Sequence, residues 1–161
     1  MAWKTSVLVV ANVTATSKDL LDVLLARANR EPTAFTLVVP ATPFGGGREA
    51  AEGKLLEAVD RLRAAGLEAD GSVGNPDPCV AVSEVWDPKR YDEIIVSTLP
   101  MKVSKWLHAG LPERIGRITG APVAHVVSHP RKPVQTQPAP VPEEGGLGPL
   151  KVLAWGGNRE Q

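Results

Sequence analysis

Four predominantly apolar runs punctuate the chain, Ser6 to Ala11, Ala34 to Val39, Ile94 to Val96 and Pro122 to Val127, and that of Ile94 to Val96 is unbroken. Each is rich in β-branched residues and short enough to be a strand. Runs without polar alternation fit strands buried on both faces, as in a parallel sheet. A fifth segment, Leu67 to Val73, is more polar and broken by Gly71, and reads as a strand at a sheet edge. Between the runs the period changes. Leu20, Leu21, Val23, Leu24 and Leu25 give one broad helical face, ending near Asn29 because Pro32 cannot continue it. Leu55, Leu56, Val59 and Leu62 recur at helical spacing within Glu49 to Ala65, with Gly66 as the closing glycine. Val80, Ala81, Val82, Val85 and Trp86 form the apolar side of a third helix, stopped at Asp87-Pro88. Ser104 to Ala109 and Pro112 to Ile118 predict two short helices closed by Gly110 and Gly120.

Local signals place the helix starts. Thr16-Ser17-Lys18-Asp19 has the form of a capping box, a hydroxyl followed three residues later by a carboxylate. Asp77 followed by Pro78 reads as an N-cap with proline at the first helical position. Five strands alternating with helices predict an α/β fold: a doubly wound parallel sheet, Rossmann-like, with helices on both faces. Strand order does not follow from this pattern.

From His129 the pattern stops. Prolines 130, 133, 138, 140 and 142 fall in a polar stretch without helical or strand period. The division read here is a domain over 1–128 and a Pro/Gly-rich tail over 129–161. The tail carries an apolar island at 149–155 whose Trp155 could anchor a protein partner. The proline stretch predicts a mobile, protease-sensitive segment, and the island a docking element.

Composition narrows the function. The chain has 161 residues and a formal net charge of zero, so no basic field points to nucleic acid. The single cysteine, Cys79, excludes an internal disulfide, and with three scattered histidines it argues against a zinc site. There is no signal-peptide pattern and no membrane-length apolar run, which gives a cytoplasmic expectation without membrane association.

Candidate chemistry concentrates where the fourth strand ends, in Ser97, Thr98, Lys102, Ser104 and Lys105. Open α/β sheets place ligands outside the carboxyl ends of their strands. The two hydroxyls at the strand end could hold a phosphate or could satisfy nearby backbone groups. The lysines could be the cationic half of an anion site or part of a solvated loop. Gly45-Gly46-Gly47 could expose N–H groups to an anion, but no lysine or hydroxyl stands at phosphate-loop spacing, so it reads as a flexible connection. His108 has no nucleophile or carboxylate at fixed spacing. Cys79, in a helical first turn, could have a lowered pKa but reads as buried. No catalytic residue or metal ligand is assigned, and the expectation is a protein that is not an enzyme.

SVLVVANVT at the first strand, Gly74-Asn75-Pro76 before a helix, DEIIVST at the fourth strand and ERIGRITGAPVAHVV at the end resemble the universal stress protein family. The resemblance spans about Lys4 to Ser128. It implies a five-stranded sheet of order 3-2-1-4-5, with Asn12 to Thr16 facing Ser97 to Lys105. Many members bind ATP there through a glycine, two residues, a second glycine, nine residues, then a glycine and a serine or threonine. Aligned on DEIIV, those places hold Ser97, Pro100, Gly110 and Leu111, and only Gly110 keeps the family's residue. Ser97 adds a Cβ, Pro100 removes an N–H and Leu111 removes a hydroxyl. The acidic residue often found after strand one is Asn12. The resemblance thus implies a stress-linked regulatory or interaction domain with a degenerate nucleotide site, dimerising through its last strand. The alternative is a binder of ATP, or of another phosphorylated small molecule, through the loop after strand four. The candidate ligand-binding residues are Asn12, Thr14, Ser97, Thr98, Lys102, Ser104, Lys105 and Gly110.

Overall fold

A computed structural model describes residues 4–43 and 46–129. The expectations for the proline stretch from Pro130, for the island at 149–155 and for Trp155 lie outside the described residues. Five parallel strands form one sheet: β1 (Thr5–Val10), β2 (Thr33–Pro40), β3 (Glu68–Gly74), β4 (Glu93–Thr98) and β5 (Val123–Val127). Their order is β3-β2-β1-β4-β5, as the resemblance implies, with β3 at one edge. The connecting helices are α1 (Lys18–Arg30), α2 (Gly47–Ala64), α3 (Pro78–Val85), α4 (Lys105–His108) and α5 (Leu111–Thr119).

The apolar runs have the predicted consequence. Val7, Val9, Leu37 and Ile95 bury against Leu20 and Leu24 of α1 and Ala51 and Leu62 of α2. The alternate residues Leu8, Val10, Val38, Ile94 and Val96 bury on the other face against Val82 of α3, Trp106, and Leu111 and Ile115 of α5. Central strands with both faces covered favour apolar residues at successive positions, hence the lack of alternation. At the edge, β3 keeps only Ala69 buried. Its Gly71 is required by space: a Cβ there would lie 2.5 Å from the Leu37 carbonyl oxygen and 2.8 Å from Leu55 Cδ1.

Helix ends shift by a residue or two from the sequence reading, and one cap changes hands. The N-cap of α1 is Ser17, whose Oγ accepts from Leu20 N at 3.1 Å. Thr16 instead offers its carbonyl to Arg61. Asp19 does not close a capping box; its carboxylate accepts from His129 N at 2.8 Å and contacts His129 Nδ1 at 3.1 Å. At α3 the Asp77 cap stands, with Oδ1 accepting from Cys79 N at 2.9 Å. Cys79 is buried, and burial pushes its thiol pKa up rather than down.

The Asp19 contact pins the chain leaving β5 onto the first turn of α1. The hydrogen bond from the His129 N–H, followed by that from its imidazole, holds the Asp19 carboxyl below the usual carboxylate range. A depressed carboxylate pKa contributes stability above the unfolded-state value, and the contribution is lost as pH falls through the folded value. The His129 amide resonance is therefore expected to titrate with the Asp19 carboxyl, at a midpoint below that of a free aspartate. In Asp19→Asn this acid transition should vanish. An amide indifferent to pH through the acid range would remove the contact from solution.

Candidate functional site

Strands β2 and β3 lie to one side of β1, and β4 and β5 to the other, so the connections diverge at the β1–β4 boundary. The carboxyl ends of diverging strands leave a crevice between their loops. The crevice here is a cleft of about 270 Å³. One wall is the turn Asn12 to Thr14 after β1, closed by Ala15 N donating to Asn12 O at 3.0 Å. The opposite wall is Ser97 to Leu99 at the end of β4. Val103 to Trp106, leading into α4, form the third side. Ser104 holds that segment as the α4 N-cap, its Oγ accepting from Leu107 N at 3.0 Å.

Six of the eight candidate residues thus line one cleft: Asn12, Thr14, Ser97, Thr98, Ser104 and Lys105. The other two stand elsewhere. Lys102 lies with His108 and Ala109 along a shallower neighbouring depression. Gly110, at φ 66°, is the left-handed N-cap of α5. Val13, Leu99, Val103 and Trp106 line the cleft without having been singled out from the sequence. They are apolar, and an apolar lining residue carries the same sequence signal as a core residue.

The hydroxyls in the cleft are engaged with one another. Ser97 is fully buried; its Oγ lies 2.7 Å from Thr14 Oγ1 and 2.9 Å from Ser128 Oγ. The row ties the turn after β1 to the end of β4 and to the residue after β5, where Ser128 N donates to Thr98 O at 2.7 Å. Thr98 Oγ1 donates to Leu99 O at 3.0 Å and lies 2.7 Å from His125 Nε2. A hydroxyl has one proton. With that proton on Leu99 O, Thr98 accepts from the imidazole, which is opposite to the polarity of a nucleophile and its general base. Thr98 is also only 1% exposed, and among the described residues no carboxylate orients His125. His108 Nε2 is engaged with Met101 O at 2.7 Å.

The loop after β4 spends its backbone on itself. Val103 N and Ser104 N both donate to Pro100 O at 3.0 Å. In the glycine-rich connection, Gly46 N donates to Pro43 O and Gly47 N to Thr42 O, each at 3.1 Å. Those two N–H groups build a turn rather than face an anion. Among the described residues no group of three His, Cys, Asp or Glu side chains could hold a metal ion, and no helix is long and apolar enough to cross a membrane.

Asn12 is 2% exposed. Its Nδ2 donates to Pro40 O and, at 3.1 Å, to Thr42 Oγ1. Its Oδ1 is buried and has no hydrogen-bond partner among the described residues.

No family model and no curated protein matches the chain. Solved structures do. A universal stress protein in complex with cAMP is 22% identical, with a TM-score of 0.53 over 80% of this chain and 100% of that one. A universal stress protein from Archaeoglobus fulgidus in complex with dAMP is 14% identical, with a TM-score of 0.55 over 78% of this chain and 99% of that one. A universal stress protein family protein from Arabidopsis thaliana with AMP bound is 16% identical, with a TM-score of 0.51 over 78% of this chain and 92% of that one. Sheet order and the helices on both faces agree with that likeness. This chain has the fold of the universal stress proteins.

Proposed function

We propose that this domain is a non-catalytic, stress-linked regulatory or interaction module whose switch-point cleft is degenerate for nucleotide phosphates. The observation that carries the reading is the closed hydroxyl row Thr14–Ser97–Ser128. At the place where the family's first glycine lets phosphate approach the backbone, this chain has a buried serine bonded on both sides. Pro100 offers no N–H, and its carbonyl takes up two of the loop's donors. The nucleotides named with the neighbouring structures, cAMP, dAMP and AMP, favour the second reading, a nucleotide binder. That reading would draw on Ser97, Thr98, Lys102, Ser104 and backbone N–H groups instead of glycines.

Calorimetric titration with ATP and magnesium decides between them. The expected result is no saturable binding at micromolar concentrations, and ATP recovered intact after prolonged incubation. A micromolar or tighter constant, lost in a Lys102→Ala, Lys105→Ala variant, would establish the second reading.

We also read β5 as the seat of a second copy of the chain, in the cytoplasm. Among the described residues β5 pairs only with β4, and Val127 on it is 46% exposed. An apolar strand with one unpaired edge favours cover by another strand. Native mass spectrometry should then show a dimer.

A further inference from the structure

We infer that the amino half of the sheet, on the face that α3 leaves open, is a site for a small zwitterion, a molecule with one ammonium and one carboxylate group, as in a free amino acid. The site lies at the opposite end of the strands from the β1–β4 cleft and does not depend on how that cleft is read.

The floor follows from a mismatch of lengths. The 8 residues of β2 extend over about 26 Å, whereas the 8 residues of α3 rise only about 12 Å. The helix therefore covers the carboxyl half of the strand, where Val38 joins the core beneath it. In the amino half, Phe35 and Leu37 stay buried on the far face, but the α3 face carries Ala34 and Thr36, both partly exposed. Ser6 on β1 stands beside Ala34, and Asp70 on β3 beside Thr36. Arg90 and Tyr91, just before β4, close the hollow from above. Its volume of about 480 Å³ falls within the ~300–1,000 Å³ of small-molecule sites.

Two opposite charges in this hollow are unspent. Glu68 pairs with Lys4, Asp92 accepts from Ser6 N, and Arg63 donates to Ala69 O. Among the described residues the side chains of Arg90 and Asp70 make no ion pair or hydrogen bond, with each other or with any other group, although both line the hollow. Arg90 is nonetheless positioned. Its guanidinium lies over the Tyr91 ring, 5.4 Å from the centroid, and Tyr91 is 4% exposed and stacked on Trp86. Contact with a ring face uses no acceptor oxygen, so the guanidinium N–H donors remain for a carboxylate, which they match as a pair. Asp70, fixed on a strand, offers two acceptor oxygens to an ammonium, and the Thr36 hydroxyl beside it offers a third acceptor. A ligand of one sign would meet its like charge across the hollow: an anion at Asp70, a cation at Arg90. A zwitterion meets an opposite charge at both.

Amide NMR on the full chain tests this with glycine, L-alanine, L-threonine and L-glutamine. Each is compared with its N-acetyl derivative, which lacks the ammonium, and with its amide, which lacks the carboxylate. At least one free amino acid is expected to give saturable shifts at Thr36, Asp70 and Tyr91 at millimolar concentration. Both of its derivatives should bind at least about tenfold more weakly, the worth of one hydrogen bond to a charged group. Two variants separate the contacts. Arg90→Gln should abolish the preference over the amide and keep that over the N-acetyl form, and Asp70→Asn should do the reverse. Both side chains are exposed, so either variant is expected to fold, and the wild-type series alone already decides the matter. Derivatives binding as tightly as the parent would overturn the proposal, as would preferences that survive in both variants. So would shifts confined to other parts of the domain, Asn12 and Leu99 included, or no shift from any probe.

Discussion

Ile95→Ala is expected to lower the free energy of unfolding by about 3–4 kcal/mol, within the range of about 2–5 kcal/mol for large-to-alanine changes at buried aliphatic positions. Ile95 is fully buried, on a strand paired on both sides, where it stands beside Val9 on β1 and Ala124 on β5. It belongs to the core beneath α1 and α2, so the lost methyl and methylene groups leave a hole that rigid strands on both sides cannot collapse. Urea unfolding followed by far-ultraviolet circular dichroism should show a lower midpoint with an unchanged slope. Val127→Ala, at a half-exposed position of β5, should stay within about 0.5 kcal/mol. Equal effects at the two positions would contradict the layered core described above.

The second large effect is expected at an ion pair. Arg27, in the last turn of α1, meets Glu93, the first residue of β4, with side chains only 18% and 14% exposed. Removing one partner of a fully buried pair costs about 3–5 kcal/mol, since the remaining charge is stranded. The residual solvent here reduces the expectation to about 2–3 kcal/mol for Arg27→Met or Glu93→Leu alone. The double variant should recover most of the loss, because two apolar side chains of similar volume need no partner. A double variant as unstable as the sum of the singles would show that the pair is not coupled.

How the residues disclosed the fold, and hid part of the site, has a physical explanation. Strands buried on both faces favour apolar residues at successive positions, so SVLVVA and EIIV announced themselves, and helices covering a sheet must repeat at their own period. The cap of α1 was harder, because Thr16 and Ser17 are both hydroxyls and only geometry decides which one bonds Leu20 N. In the cleft, the strand-end hydroxyls were visible as a polar break after an apolar run. That Ser97 is closed between Thr14 and Ser128 was not visible, because those partners lie 83 and 31 residues away in sequence. The apolar half of the wall was silent for a different reason. Leu99 and Trp106 obey the same burial rule whether they face the core or a ligand. Lys105 lines both the cleft and the neighbouring depression, while Lys102 lines the depression without the cleft, since loop residues carry no period that would fix a direction.

The two rims of the sheet also differ in kind. The β3 rim carries Glu68 and Asp70 on an exposed strand interrupted by Gly71, while the β5 rim is built from valines and an alanine around His125. Two copies meeting rim to rim at β5 through a twofold axis would form one continuous sheet of doubled width, with a β3 strand at each end. Lys4 pairs with Glu68, so the Asp70 carboxylate and the break at Gly71 would be what opposes further strand addition at each end. In such a dimer growth would stop at two, because neither outer strand would offer a rim that a further copy could extend.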